Sequence, residues 1–310
     1  MASVADDLNR LRSVVEEVLA EGPRGGGGLS GCKFEATPDA LVFGRSTDSV
    51  MPIAHFMHAD ERQVGLAILQ DDGGVGAIEA EFAAHGTPDD LECLKYVLYG
   101  ATGDSTRKWD NGVLDASRPA GLTFDHFAAL PEAVKARLGR GHVLALRLYT
   151  TVCFMSINEP LRNASLSADN PHPLPVTVHL LTEAIKRLRK IEGEQKSAAE
   201  RIVLWRGMRN RSVPDDFLAA GGSEQAPMST TRDLAVAVRY STSECSVLFK
   251  LDTESFRERG ADLSWVSAFP AERECCFPPL THLRPVAMPQ VVQVCEGVSV
   301  TVLEVKPSFG

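Results

Sequence analysis

Phe269-Pro270-Ala271-Glu272-Arg273-Glu274-Cys275-Cys276-Phe277-Pro278-Pro279 sets two carboxylates one residue apart, runs on through an apolar stretch and closes on two prolines. Read as a short strand, it sends Glu272 and Glu274 to one side, because side chains at i and i+2 of a strand share a face. Like charges that close repel, and the cost grows where a cleft strips away their water. A cationic occupant relieves the repulsion. The polar face of a solvated edge strand also tolerates it, and the motif alone does not choose between the two.

Two upstream segments supply the context. Arg201-Ile202-Val203-Leu204-Trp205-Arg206-Gly207 is a short apolar run with β-branched and aromatic residues, so it reads as a buried strand that ends at glycine and delivers Arg206. Gly207 next to Arg206 suits a place where backbone approaches a ligand. Pro227-Met228-Ser229-Thr230-Thr231 then puts three hydroxyls in a turn before a helical pattern, Asp233 to Tyr240. Thr230-x-x-Asp233 approximates a capping box, a structural role that coexists with a functional one.

The order Arg, Ser-Thr-Thr, Glu-x-Glu resembles the arginine-specific mono-ADP-ribosyltransferases of the R-S-E class. That family carries Arg, Ser-Thr-Ser and Glu-x-Glu in this sequence. Leu146-Arg147-Leu148-Tyr149-Thr150, Ile157-Asn158, Leu161-Arg162, Phe277-Pro278-Pro279-Leu280-Thr281 and Val302-Leu303-Glu304-Val305 extend the likeness over residues 121 to 310. Thr231 departs from the pattern by replacing a serine, which keeps the hydroxyl and adds a methyl. The resemblance implies an α+β fold, with a helical N-terminal part followed by a mostly antiparallel split β-sandwich that binds NAD+.

It also implies roles. Breaking the nicotinamide N-glycosidic bond develops positive charge on the ribose, as in glycoside hydrolysis, and a carboxylate beside that ribose stabilises it. Glu274 is the candidate for that carboxylate, oriented by Ser229. Glu272 would hold the incoming guanidinium, which suits a bidentate carboxylate. Arg206 would pair with phosphate or ribose oxygens of the dinucleotide, with Gly207, Thr230, Tyr149 and Asn158 lining its cleft and Tyr240 offering an aromatic wall for nicotinamide. Two readings of Tyr149 stand side by side: cleft lining, or a core ring with a paired hydroxyl. NAD+ is thus expected as a co-substrate, with no permanently bound cofactor, and an arginine-bearing protein as acceptor. Self-modification at Arg257, Arg259 or Arg273 is a further expectation. Water in place of the acceptor gives NAD+ glycohydrolase, and loss of chemistry altogether gives a binding module.

Composition agrees with a globular chain: 310 residues, 44% hydrophobic, 24% charged. Seven cysteines, an odd number without a C-x-x-C, argue against a disulfide framework and against a zinc site. His55-x-x-His58 lacks the converging ligands a metal needs. No apolar run reaches membrane-spanning length, and Met1 to Glu21 is amphipathic rather than laid out as a signal peptide, so a cytoplasmic location is expected. A formal net charge of −9 disfavours nonspecific nucleic-acid binding and suits arginine-rich acceptors.

Along the chain, Leu8, Leu11, Val15 and Val18 predict an amphipathic helix in residues 1–21. Residues 22–31 are a glycine-rich linker. Gly26-x-Gly28-x-x-Gly31 follows a helix rather than a strand and so is not a dinucleotide fingerprint. Residues 32–120 form an extension or small lobe without a legible role, and 121–310 the catalytic domain. Thr87-Pro88-Asp89-Asp90 starts a helix that Gly100 stops. Further helices are expected over Pro131 to Leu138, His142 to Asn158 and Pro175 to Glu192, the last with Lys186, Arg187, Arg189 and Lys190 on its wet face. Beyond residue 200 the period becomes that of strands: Ile202 to Trp205, Ser246 to Leu251, Glu274 to Phe277, Val291 to Cys295 and Val298 to Val305.

Overall fold

Most of the helices precede the strands of the main sheet. The computed structural model describes residues 4–21, 39–70, 72–100, 108–109, 112–116, 118–119, 122–194, 200–243, 245–295 and 298–309. The glycine-rich linker lies outside them. Helix Val4–Glu21 forms as its apolar spacing predicts, and Leu11, Val15 and Val18 are buried against Leu234 and Val238 of helix Leu234–Ser241. Thr87 caps helix Pro88–Tyr99 in the expected reciprocal box: Asp90 N donates to Thr87 Oγ1 at 3.2 Å and Thr87 N to Asp90 Oδ2 at 2.8 Å. Gly100 ends it at φ 76°.

Between residues 39 and 86 the chain is mainly helical, with helices at Ile53–Phe56, Glu61–Gln70 and Val75–His85. Ile53, Ile78 and Phe82 share one apolar core with Leu144, Leu148 and Leu181 of the helices that follow. Helix Pro175–Glu192 forms over the predicted span and receives its N-terminal cap from afar. The Glu81 carboxylate accepts from Val176 N at 2.6 Å and Thr177 N at 2.9 Å, filling two of the orphan donors of the first turn.

The single helix expected over His142 to Asn158 is two, Arg140–Tyr149 and Phe154–Leu161. Thr150 and Thr151 break it by turning their hydroxyls back onto the carbonyls of Arg147, at 2.8 Å, and Leu148, at 2.7 Å. Side chains that compete in this way for backbone acceptors favour helix ends. Helix Pro131–Lys135 stops short of Leu138.

The nine-stranded sheet is mostly antiparallel. Strand Ile202–Arg209 pairs antiparallel with Cys245–Thr253, which pairs parallel with Val298–Ser308. Val298–Ser308 also carries Gln290–Cys295 and Thr281–Pro285, the latter bordered by Gly222–Glu224. On the other side, Ile202–Arg209 meets Met228–Thr231 only at Trp205 and Thr231. Met228–Thr231 then pairs antiparallel with Glu274–Phe277, and that strand with Ala261–Asp262. A one-pair junction leaves the two halves of the sheet free to diverge, and the candidate residues gather at that junction.

Strand Ile202–Arg209 runs past Gly207 instead of ending there. The glycine has a different cause: a Cβ at Gly207 would lie 1.8 Å from the carbonyl oxygen of Ala237. Close approach of helix Leu234–Ser241, rather than of a ligand, therefore excludes a side chain. Among the described residues no helix is long and apolar enough to cross a membrane, and no group of three or more His, Cys, Asp or Glu is placed to hold a metal ion.

Candidate active site

Ser229-Thr230-Thr231 is strand rather than turn, and helix Leu234–Ser241 has its own cap, Asp233, whose side chain accepts from Ala235 N at 2.9 Å. The register pairs Glu274 with Thr231 and Cys276 with Ser229. Directly opposed residues share a face, so Ser229, Thr231, Glu274 and Cys276 lie on one side of this pair of strands. Met228, Thr230, Cys275 and Phe277 lie on the other. Thr230 is accordingly not brought to Glu274; it is buried, and its hydroxyl donates to the Cys275 carbonyl at 2.6 Å.

The expectation that Glu272 and Glu274 share a strand face is not met. Strand pairing begins at Glu274; Glu272 ends a 3₁₀ turn, Pro270–Glu272, and Arg273 between them is left-handed at φ 50°. Pro270 favours such a turn and denies the strand its start. The carboxylates remain neighbours nonetheless, since the charge on Glu272 adds to what pushes Glu274 up. Thr231 Oγ1 donates to the Glu272 carbonyl at 2.6 Å, and Tyr240 donates its hydroxyl to Glu272 Oε1 at 2.8 Å. Tyr240, expected as an aromatic wall, thus stands at the end of helix Leu234–Ser241 with its hydroxyl on the Glu272 carboxylate.

Glu274 is only 7% exposed. Burial pushes its pKa up to about 8; a hydrogen bond from Ser229 opposes this, and Glu272 and Asp262 reinforce it. Burial likewise raises Glu272, with the Tyr240 hydroxyl opposing. Ser229 joins the two halves of the site: its side chain shares the strand face of Glu274, and its backbone carbonyl accepts from Arg206 Nη1 at 3.2 Å.

Around Arg206 the site is cationic. Glu224 Oε2 lies 3.5 Å from Arg206 Nη2, and Glu224 Oε1 accepts from Arg162 Nε at 2.9 Å. Two guanidiniums therefore share one buried carboxylate. Burial pushes Glu224 up, but Arg162 and Arg206 outweigh it and hold it below the usual carboxylate range. Burial pulls Arg206 down, with Glu224 partly restoring it. Arg162 Nη2 is buried and has no hydrogen-bond partner, and neither has Asn158 Oδ1. An excess positive charge with an unused donor is the chemistry of a phosphate site.

Tyr149 and Asn158 sit on the separate helices described above. Tyr149 is buried and donates its hydroxyl to the Pro227 carbonyl at 3.1 Å, as the core reading has it; burial pushes its pKa up, which Glu274 reinforces and Arg206 opposes. Glu224 had no sequence signal: Gly222-Ser223-Glu224 has neither period nor motif. Nor did the anchor of the segment that leads into Glu272. Arg147, 2% exposed, donates to Asp115 Oδ2 at 2.8 Å and to the Val266 carbonyl at 3.0 Å. Arg118 adds donations to the carbonyls of Ser264, at 3.0 Å, and Trp265, at 2.8 Å. Ala268 N donates to Thr150 Oγ1 at 2.9 Å. Both arginines also lie over the Phe127 ring.

No protein-family model matches the chain, and no curated protein matches it. Among solved structures, the chain is similar to the ADP-ribosyltransferase HopU1 of Pseudomonas syringae pv. Tomato DC3000, at 21% identity over 71% of this chain and 97% of that one, with a TM-score of 0.42. It is also similar to a variant of the eucaryotic mono-ADP-ribosyltransferase ART2.2 in complex with NADH, at 15% identity over 89% and 96%, TM-score 0.46. Vis toxin, an ADP-ribosyltransferase from Vibrio splendidus, is similar at 15% identity over 59% and 81%, TM-score 0.40. At scores this low the likenesses do not bear on the site's chemistry, which rests on the geometry above.

Proposed function

We propose that this chain transfers ADP-ribose from NAD+ to the guanidinium of arginine in an acceptor protein, releasing nicotinamide. The observation that carries the reading is the position of Ser229, whose carbonyl accepts from Arg206 Nη1 at 3.2 Å and whose side chain shares a strand face with Glu274. One residue thereby links a cationic subsite to a buried carboxylate.

Arg206 and Arg162 would take the pyrophosphate, replacing part of the charge balance that Glu224 alone now supplies. Glu274 would face the nicotinamide ribose. In the free protein, burial favours its proton; a ribosyl cation forming beside it favours the carboxylate, so its stabilising effect is largest in the transition state. Ser229 assists by its hydrogen bond to the ionised form. The N-glycosidic electron pair leaves with nicotinamide, which departs neutral, and the acceptor nitrogen attacks the ribosyl carbon. Glu272, beside Tyr240, would hold the guanidinium through its carboxylate. The guanidinium holds its proton too tightly to lose it first, so the proton passes to water with or after attack.

Nicotinamide release from NAD+, measured with and without agmatine, tests this. Wild type should release nicotinamide faster with agmatine present, Glu274→Gln should release none, and Glu272→Gln should keep slow release that agmatine no longer stimulates. Release that agmatine never affects would assign the site to NAD+ hydrolysis. Release that survives Glu274→Gln would remove Glu274 from the chemistry.

A further inference from the structure

We propose that a second site, on the cavity between strand Thr281–Pro285, the end of strand Val298–Ser308 and the turn Phe256–Glu258, binds a small polyphosphate anion of nucleotide size. The cavity holds about 620 Å³, within the range of small-molecule sites, and none of the residues that carry the proposed chemistry lines it. Four cations from four separate elements converge there: Arg189, Arg257, Arg284 and Lys306. Glu258, the carboxylate in the lining, lies 3.0 Å from Lys306 and also accepts from Glu254 N at 2.8 Å. The lining therefore keeps an excess of positive charge on a chain whose formal net charge is −9.

Convergent like charges destabilise a fold unless an anion joins them. Arg189 belongs to the helix face expected to be wet, but the structure fixes it in place. Its Nε donates to the Arg259 carbonyl at 2.6 Å, its Nη2 to the Arg257 carbonyl at 3.2 Å, and its guanidinium lies 3.5 Å from the centre of the Phe309 ring. Burial pulls its pKa down to about 10, so its charge is held partly out of water. His282 adds a buried Nδ1 that has no hydrogen-bond partner. Arg257 and Arg284 are exposed and make no ion pair among the described residues, which leaves both forks open to phosphate oxygens. Phe256 and Phe309 give the cavity apolar walls beside its charges. A fixed guanidinium, two open ones and an ammonium call for more than one phosphate group; the volume admits a nucleoside attached to them.

Calorimetric titration of the full chain with inorganic pyrophosphate, and separately with ATP, tests the site at low and at moderate salt. Saturable binding that persists in Arg206→Ala is expected, separate from any occupancy beside Arg206 and weakening as salt rises. Arg284→Glu and Arg257→Glu, both surface substitutions, should each weaken it by at least about tenfold while circular dichroism stays unchanged. Arg206→Ala should leave it intact. Pyrophosphate binding without a gain for ATP would place the site among inorganic phosphate sites; tighter ATP binding would assign it to nucleotides. The proposal fails if neither probe binds, if charge reversal at Arg257 and Arg284 changes nothing, or if Arg206→Ala alone abolishes binding. None of these outcomes depends on the reaction proposed for Glu274.

Discussion

Glu274→Gln should make the protein more stable at alkaline pH while removing the carboxylate on which the chemistry depends. Burial moves this carboxyl from 4.5 to about 8, so the folded chain keeps a proton that the unfolded chain has already released. A raised carboxyl pKa contributes stability that is fully present below the unfolded value and is lost as pH rises through about 8. At roughly 1.4 kcal/mol per pKa unit, the interval corresponds to on the order of 4–5 kcal/mol. That is an upper bound, because water entering the site relieves part of the charge. Glutamine has no proton to lose. Urea unfolding of both proteins from about pH 5 to about pH 9 should therefore show the difference growing in favour of glutamine, by about 2 kcal/mol or more at the alkaline end. Glu81, which burial raises to about 7, tilts both curves the same way and cancels in the comparison. Curves that stay parallel across the range would refute the argument that Glu274 is a buried, proton-holding carboxyl.

Ser229→Ala should move the rising limb of the pH profile of kcat/KM for NAD+ to higher pH, because the hydroxyl that favours the ionised Glu274 is gone. Gly207→Ala should cost about 3 kcal/mol or more in thermal or urea unfolding, since the new methyl would stand 1.8 Å from the Ala237 carbonyl oxygen between packed backbones. Arg118→Ala should raise amide hydrogen exchange in residues 264–268, where it holds the carbonyls of Ser264 and Trp265, and leave helix Pro175–Glu192 protected.

Much of the architecture was legible because it is local. Helix Val4–Glu21 follows from a 3,4,3 apolar spacing, helix Pro88–Tyr99 from Thr87 and Asp90, and strand Glu274–Phe277 from its apolar run between a turn and two prolines. The order of Arg206, Ser229 and Glu274 also brought the right strands together, since Met228–Thr231 bridges Ile202–Arg209 and Glu274–Phe277. What failed was the step from spacing to direction. Alternation placed Glu272 on the strand, but Pro270 and the left-handed Arg273 put it in a turn. Gly207 looked like room for a ligand and is room for a helix. Thr230 carries a hydroxyl of the motif but points to the opposite face, as the parity of a strand requires. Glu224 and the Asp115–Arg147 pair escaped altogether. An ion pair between residues 32 apart, or a carboxylate shared by arginines from a helix and a strand, exists only once the chain has folded.

Mass spectrometry of agmatine after incubation with the 310-residue chain and NAD+, alongside Glu274→Gln, tests the central assignment most directly. The account predicts an ADP-ribosyl-agmatine adduct with wild type and none with the variant. Adduct formed equally by both proteins, or by neither while NAD+ demonstrably binds, would contradict it.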